Sequence, residues 1–140
     1  AGIETLLRTN IDGVIHSVRE AVPAMRESGE GGHIVFISSV VVNMISPYAA
    51  VYAASKAFNS NLARSLRLEL EADGIGISEM LVGRTASEFS EKRLGSSGYG
   101  AKASRLPRMP AEQVAIGIVA AVESARKRVV LCWAMRWCRG

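Results

Sequence analysis

The chain has 140 residues and a mass of 15.0 kDa, room for one domain and a tight fit for two. Its 49% apolar and 21% charged residues exclude intrinsic disorder, and its 13 Gly and 4 Pro exclude a collagen-like or low-complexity chain. The net charge of +4 is scattered rather than gathered into a basic patch, and the two cysteines, Cys132 and Cys138, make neither a zinc frame nor a disulfide scaffold.

The N-terminus shows no positively charged lead into an apolar run with a small-residue cleavage site, so no signal peptide is expected. Ala1 in place of Met fits either removal of an initiator Met or a piece of a longer chain. Ile3, Leu7, Ile11, Val14, Val18, Val22 and Met25 recur at steps of three and four, and Leu6 and Ile15 widen the stripe. That period predicts an amphipathic helix ending near Ser28, before the glycines at 29, 31 and 32. Asn10 lies on the margin of the stripe, where a polar side chain needs a partner.

Ile34-Val35-Phe36-Ile37 reads as a strand buried on both faces, ended by Ser38-Ser39. Ile34 to Ser55 carries no charge, yet it holds four serine or asparagine residues before Pro47 and splits into two patterns, so no membrane span is expected. Tyr52 to Glu71 reads as a helix, with Phe58, Leu62, Leu66 and Leu70 four apart, and Ala72-Asp73-Gly74 stops it. Ile75 to Val82 is a second strand. Glu79 falls inside it, where an unpaired buried carboxylate is costly, so it needs a basic partner or an edge position. Residues 84–109 are polar and glycine-bearing and read as a mobile loop with one short helix. Pro110, at a first helical position, opens a helix to about Ala125, and Val129-Val130-Leu131 is a third strand. Arg126-Lys127-Arg128 reads as a solvated helix end complementing the dipole.

This alternation predicts an α/β fold of the Rossmann-like type, three layers with helices on both faces of a parallel sheet. Chemistry in such sheets gathers at the C-terminal strand ends, here Ser38-Ser39 and Val82-Gly83. Tyr52 and Lys56 stand four apart on one helix face. A free phenol is a poor base at neutrality, and a neighbouring ammonium favours the phenolate. The pair therefore reads either as a phenol tuned for proton exchange or as a core tyrosine beside a surface lysine. His16 and His33 read as structural, so no metal site is expected.

Gly32-His33-Ile34-Val35-Phe36-Ile37-Ser38-Ser39 followed by Tyr52-Ala53-Ala54-Ser55-Lys56-Ala57 resembles the short-chain dehydrogenase/reductase family, as does Asn10-Ile11-Asp12-Gly13 on the preceding helix. The resemblance runs from about Ile3 to Leu131. It implies a catalytic set of Asn10, Ser39, Tyr52 and Lys56. Tyr52 would be the general acid/base, Ser39 would bond the reacting oxygen, Lys56 would lower the Tyr52 pKa and hold a ribose, and Asn10 would keep a relay water. Val82-Gly83-Arg84-Thr85-Ala86-Ser87 is similar to the family's turn facing the nicotinamide carboxamide. It implies Val82, Gly83, Thr85 and Ser87, with Tyr52 and Lys56, as contacts for NAD or NADP.

The chain departs from that family at its front, since no strand, glycine-rich turn and helix precede Ile3 to receive a pyrophosphate. The expectation is therefore residues 1–140 as the C-terminal, catalytic half of a Rossmann domain lacking the N-terminal nucleotide-binding βαβ units, with its first strand left as an open edge. The implied function is NAD(P)-dependent hydride transfer on a secondary alcohol or ketone, in a cytoplasmic homodimer or homotetramer without nucleic acid. The alternatives are a non-catalytic interaction module, and a nucleic-acid binder resting only on a pI near 9.4.

Overall fold

A computed structural model describes residues 2–86, 107–125 and 127–131. The N-terminal helix forms in three pieces: α1 (Gly2–Leu7), a π-helical turn (Arg8–Asp12) and α2 (Gly13–Ser28). Strand β1 (Gly32–Ser39) runs into a 3-10 turn (Val40–Asn43), and α3 (Ala50–Glu69) follows. After a second 3-10 turn (Glu71–Asp73) come β2 (Ile75–Val82) and the two-residue β3 (Thr85–Ala86). The short β4 (Met109–Pro110), α4 (Ala111–Glu123) and β5 (Arg128–Leu131) complete the described chain.

The main sheet has the order β1-β2-β5, all parallel, with Ile34 beside Ile77, Phe36 beside Glu79 and Ser39 beside Val82. The fold is the α/β, Rossmann-like type that the alternation predicts. One core holds Val22 of α2, Phe36 of β1, Ala63 of α3, Leu70, and Ile75 and Ile77 of β2, with Val14, Val18, Leu62 and Leu66 packed against it. Among the described residues, no helix is long and apolar enough to cross a membrane.

The periodicity misjudges the first helix. A π turn holds one residue more than an α turn, which rotates the segment before it by about 100°. Val14, Val18 and Val22 meet the core, while Ile3 and Leu7, on the far side of that turn, are exposed. The first strand ends at the expected serines and begins at Gly32, two residues before Ile34. It is also not buried on both faces: Phe36 is 4% exposed and Ile37 46%. Among the described residues β1 has only β2 for a neighbour, so its other edge is unpaired there.

Three further boundaries shift. The central helix opens at Ala50, two residues before Tyr52. Pro110 has extended backbone and caps α4 instead of opening it. Thr85–Ala86 pairs with Met109–Pro110 as a parallel ribbon at the two ends of the segment read as loop, while the rest of that segment lies outside the described residues. Arg128 begins β5 rather than ending a helix.

The entry to β1 is fixed by two close backbones. Gly31 has φ +75°, and a Cβ there would sit 2.6 Å from the Gly74 carbonyl oxygen. Gly32 N donates to that same oxygen at 3.4 Å. Only a glycine combines that conformation with that approach. The Arg26 guanidinium donates to Asp73 from Nε (2.8 Å) and Nη2 (2.6 Å), tying the end of α2 to the turn before β2. These clamps set the register that puts the C-terminal ends of β1 and β2 side by side.

Candidate active site

The C-terminal end of β1 and the first two turns of α3 form the candidate site. Ser39, buried at 7% exposure, ends the strand, and its hydroxyl accepts from Val41 N at 3.4 Å. Val82 is its register partner on β2. Half-buried Tyr52 stands on the first turn of α3, and Lys56 one turn further on the same face. The Lys56 ammonium donates to Ile37 O of β1 at 3.0 Å and lies 6.0 Å from the centre of the Tyr52 ring. Burial removes water from that ammonium and holds its pKa below the ordinary lysine range.

Asn10 finds the partner its position demands. It sits in the π turn, a local geometry that often marks functional positions. Its Nδ2 donates to Ser55 Oγ at 3.0 Å, and Ser55 Oγ donates to the Tyr52 carbonyl at 2.7 Å. Asn10 and the Tyr52 backbone thus meet through Ser55, which is 1% exposed and which the sequence reading passed over. A hydroxyl on the sheet-facing side of the helix, three residues after Tyr52, was the available signal.

The turn after β2 is only partly described. Gly83 N donates to Leu131 O at 2.7 Å, so that amide belongs to β5. Thr85 Oγ1 donates to Gly83 O at 3.3 Å, and Arg84 O accepts from Met109 N at 2.8 Å. Arg84 keeps Nη1 away from water without a hydrogen-bond partner among the described residues. Ser87 lies outside the described residues, as do Cys132 and Cys138. His33 Nε2 lies 2.8 Å from Ser78 Oγ, within the sheet.

A cleft of about 480 Å³ opens along the outer edge of β1, lined by Asn10, Val14, Val18, Ile37, Lys56 and Asn59 among others. Asn59 is 3% exposed, and its Oδ1 has no hydrogen-bond partner among the described residues. The cleft runs from the edge of β1 that is unpaired among the described residues to Lys56 and Asn59 of α3.

The short chain dehydrogenase family model matches residues 1–96. The chain is 33% identical over 91 residues to sulfoacetaldehyde reductase 2 of Chromohalobacter salexigens, covering 65% of this chain and 36% of that protein. It superposes on a short-chain dehydrogenase from Sphingobium yanoikuyae in complex with NADPH with a TM-score of 0.80 at 26% identity, covering 97% of this chain and 52% of that one. A closed form of serine dehydrogenase complexed with NADP+ gives 0.77 at 26% identity, covering 92% and 54%. The chain belongs to the short chain dehydrogenase family. It spans about half the length of these solved structures and about a third of that curated relative.

Burial of Lys56 has a thermodynamic sign. The folded chain releases the Lys56 proton at lower pH than the unfolded chain does. Between that lowered value and the ordinary lysine range the unfolded state binds more protons, so stability rises with pH. Urea midpoints of the wild type measured against Lys56→Met should therefore favour the wild type increasingly from neutral pH toward alkaline pH. A difference that stays flat would show that the ammonium is as well hydrated folded as unfolded.

Proposed function

We propose that this chain carries the catalytic part, residues 1–140, of an NAD(P)-dependent oxidoreductase acting on a secondary alcohol or ketone, with Tyr52 as the general acid/base. The observation that carries this reading is the Lys56 ammonium, fixed on Ile37 O and 6.0 Å from the Tyr52 ring. A cation at that range favours the phenolate and brings a phenol's proton exchange toward neutral pH. The family membership of the chain supports the assignment.

The donor chemistry suits a nicotinamide nucleotide, and the NADPH- and NADP+-bound neighbours favour the same group. Lys56 has three N–H donors, of which one goes to Ile37 O, leaving two for ribose hydroxyls. Arg84 Nη1, without a hydrogen-bond partner among the described residues, is a cationic donor just beyond the end of β2. Val82, Gly83, Thr85 and Ser87 would line the nicotinamide side of the same sheet end. The nucleotide, when bound, supplies or accepts the hydride.

The remaining work falls to the chain's own groups. Tyr52 Oη gives a proton to the carbonyl oxygen in reduction and takes it from the hydroxyl in oxidation. Ser39 Oγ hydrogen-bonds that oxygen and orients it. Asn10 and Ser55 hold the first turn of α3 by the Tyr52 carbonyl, so the phenol is aimed before substrate arrives, and Asn10 keeps a water that passes protons on to Lys56. We place the protein in the cytosol as a homodimer or homotetramer.

The protein carrying this chain, mixed with NAD+ or NADP+ and a panel of secondary alcohols, should develop the absorbance of reduced nicotinamide. With NADH or NADPH and the matching ketones it should lose that absorbance. No change with any pair overturns the reading. A second reading, a non-catalytic interaction module, is favoured by the unpaired outer edge of β1 and by exposed Ile3 and Ile15. Cross-linking that finds neither self- nor hetero-association removes that one.

A further inference from the structure

The layer between α3 and the sheet changes character along its length. Toward the C-terminal half of the helix it is apolar, with Ala63 and Leu66 on Phe36 and Ile77. Near Lys56 it is polar: Ser38, Ser55, Asn59, Ser60 and Glu79 are all buried there, Glu79 at 0% exposure. A carboxylate in the middle strand of a sheet is expensive and needs every partner it can get.

The partners of Glu79 form a line. Its Oε2 lies 3.2 Å from Arg128 Nε of β5. Its Oε1 accepts the hydroxyl proton of Ser60 from α3. Ser60 Oγ lies 3.1 Å from Ser38 Oγ of β1, and Ser38 Oγ donates to the Lys56 carbonyl at 3.2 Å. The residue before Ser38 supplies the carbonyl that takes the Lys56 ammonium. Two adjacent residues of β1 therefore hold both ends of Lys56. The other charged group nearby, Arg67 of α3, is occupied with Ile77 O (3.2 Å) and Lys127 O (2.6 Å).

We infer that Glu79 is a positioning residue for Lys56, acting through Ser60 and Ser38 on the backbone of the helical turn that carries the ammonium. By accepting the Ser60 hydrogen bond it leaves the Ser60 oxygen as an acceptor, and the one Ser38 hydroxyl proton is shared between Ser60 Oγ at 3.1 Å and the Lys56 carbonyl at 3.2 Å, so the helix turn is tied to β1 and β2 at once. Apolar packing would hold the helix as firmly but would not fix its rotation and slide so closely, because only hydrogen bonds are directional. The ion pair with Arg128 alone gives no reason for a carboxylate facing Ser60, since Arg128 is 44% exposed and already reaches solvent. The significance of Lys56 rests on the function proposed above, but the test does not use turnover.

The experiment is competitive chemical labelling of lysines in the folded chain across a pH series, read by mass spectrometry, with exposed Lys127 as internal reference. Glu79→Leu keeps the volume and removes the acceptor. It should move the Lys56 labelling midpoint toward that of Lys127 by about half a pH unit, as the turn loosens and water reaches the ammonium. Glu79→Gln keeps an oxygen for Ser60 and should leave the midpoint at the wild-type value. Ser38→Ala cuts the last link, and adding Glu79→Leu to it should produce no further shift. If the Leu variant does not fold, Ser60→Ala, which cuts the same link from the helix side, replaces it. A Leu or Ser60→Ala variant with the wild-type midpoint overturns the proposal, and so does a Gln variant that behaves like Leu, because the carboxylate would then serve only Arg128. Loss of dehydrogenase activity in any variant does not enter the outcome, so failure of the enzymatic reading and failure of this one are separate results.

Discussion

If the proposed function holds, Tyr52→Phe in the protein carrying this chain is expected to lower kcat by about 10²–10⁴-fold. The substitution removes one oxygen and leaves the ring, so the packing of α3 against β1 should persist. Lys56 would keep its bond to Ile37 O, and Ser55 would still donate to the Tyr52 backbone carbonyl, since neither contact uses the phenol oxygen. KM for the nicotinamide nucleotide should change much less than kcat, because the lysine donors that would meet the ribose are untouched. The measurement is steady-state turnover followed by nicotinamide absorbance, with far-ultraviolet circular dichroism to show an intact fold. Turnover kept within about threefold of wild type would remove Tyr52 as the acid/base.

The second large effect is on stability. Phe36→Ala should cost about 3–5 kcal/mol, as it empties the centre of the cluster formed by Val22, Ala63, Leu70, Ile75 and Ile77. Ile37→Ala, one residue along the same strand, should cost far less, because Ile37 is 46% exposed. Urea unfolding of the two variants side by side tests the assignment of faces. Equal losses would mean that the side of β1 away from the core is covered as well as the side against α2 and α3.

Strands and helices were legible where hydrophobic period and punctuation agreed. Ile34-Val35-Phe36-Ile37 sits between a glycine turn and two serines, and Ile75 to Val82 opens after Asp73-Gly74. The π turn at Arg8–Asp12 was not legible, because one extra residue in a turn leaves no mark in composition and is visible only as Ile3 and Leu7 falling off the core face. The β3–β4 ribbon escaped for a related reason, since two-residue strands have no period to detect.

The residues proposed for the site could be named from the sequence, and the residues that support them could not. Tyr52 and Lys56 stand out by spacing, Ser39 as the end of a strand and Asn10 as a polar residue beside an apolar stripe, and the family resemblance joins the four. Ser55, Ser38 and Ser60 do not, because small hydroxyl residues on a buried face read as ordinary packing until their partners are known. Glu79 was conspicuous as a charge in a strand and called for a basic partner, which Arg128 supplies. Its bond to Ser60 depends on two elements nineteen residues apart.

The two halves of α3 answer differently to temperature. Around Ala63 and Leu66 the helix is held by burial of apolar surface, whose strength fades on cooling, with Arg67 adding hydrogen bonds to Ile77 O and Lys127 O. The end at Lys56 is held by directed bonds through Ser38, Ser55 and Ser60, which do not depend on water's reluctance to meet hydrocarbon. Cooling should therefore weaken the packing around Ala63 and Leu66 more than the contacts of the Tyr52–Lys56 turn. A chain built this way keeps the aim of its reactive groups at low temperature even as its overall stability declines.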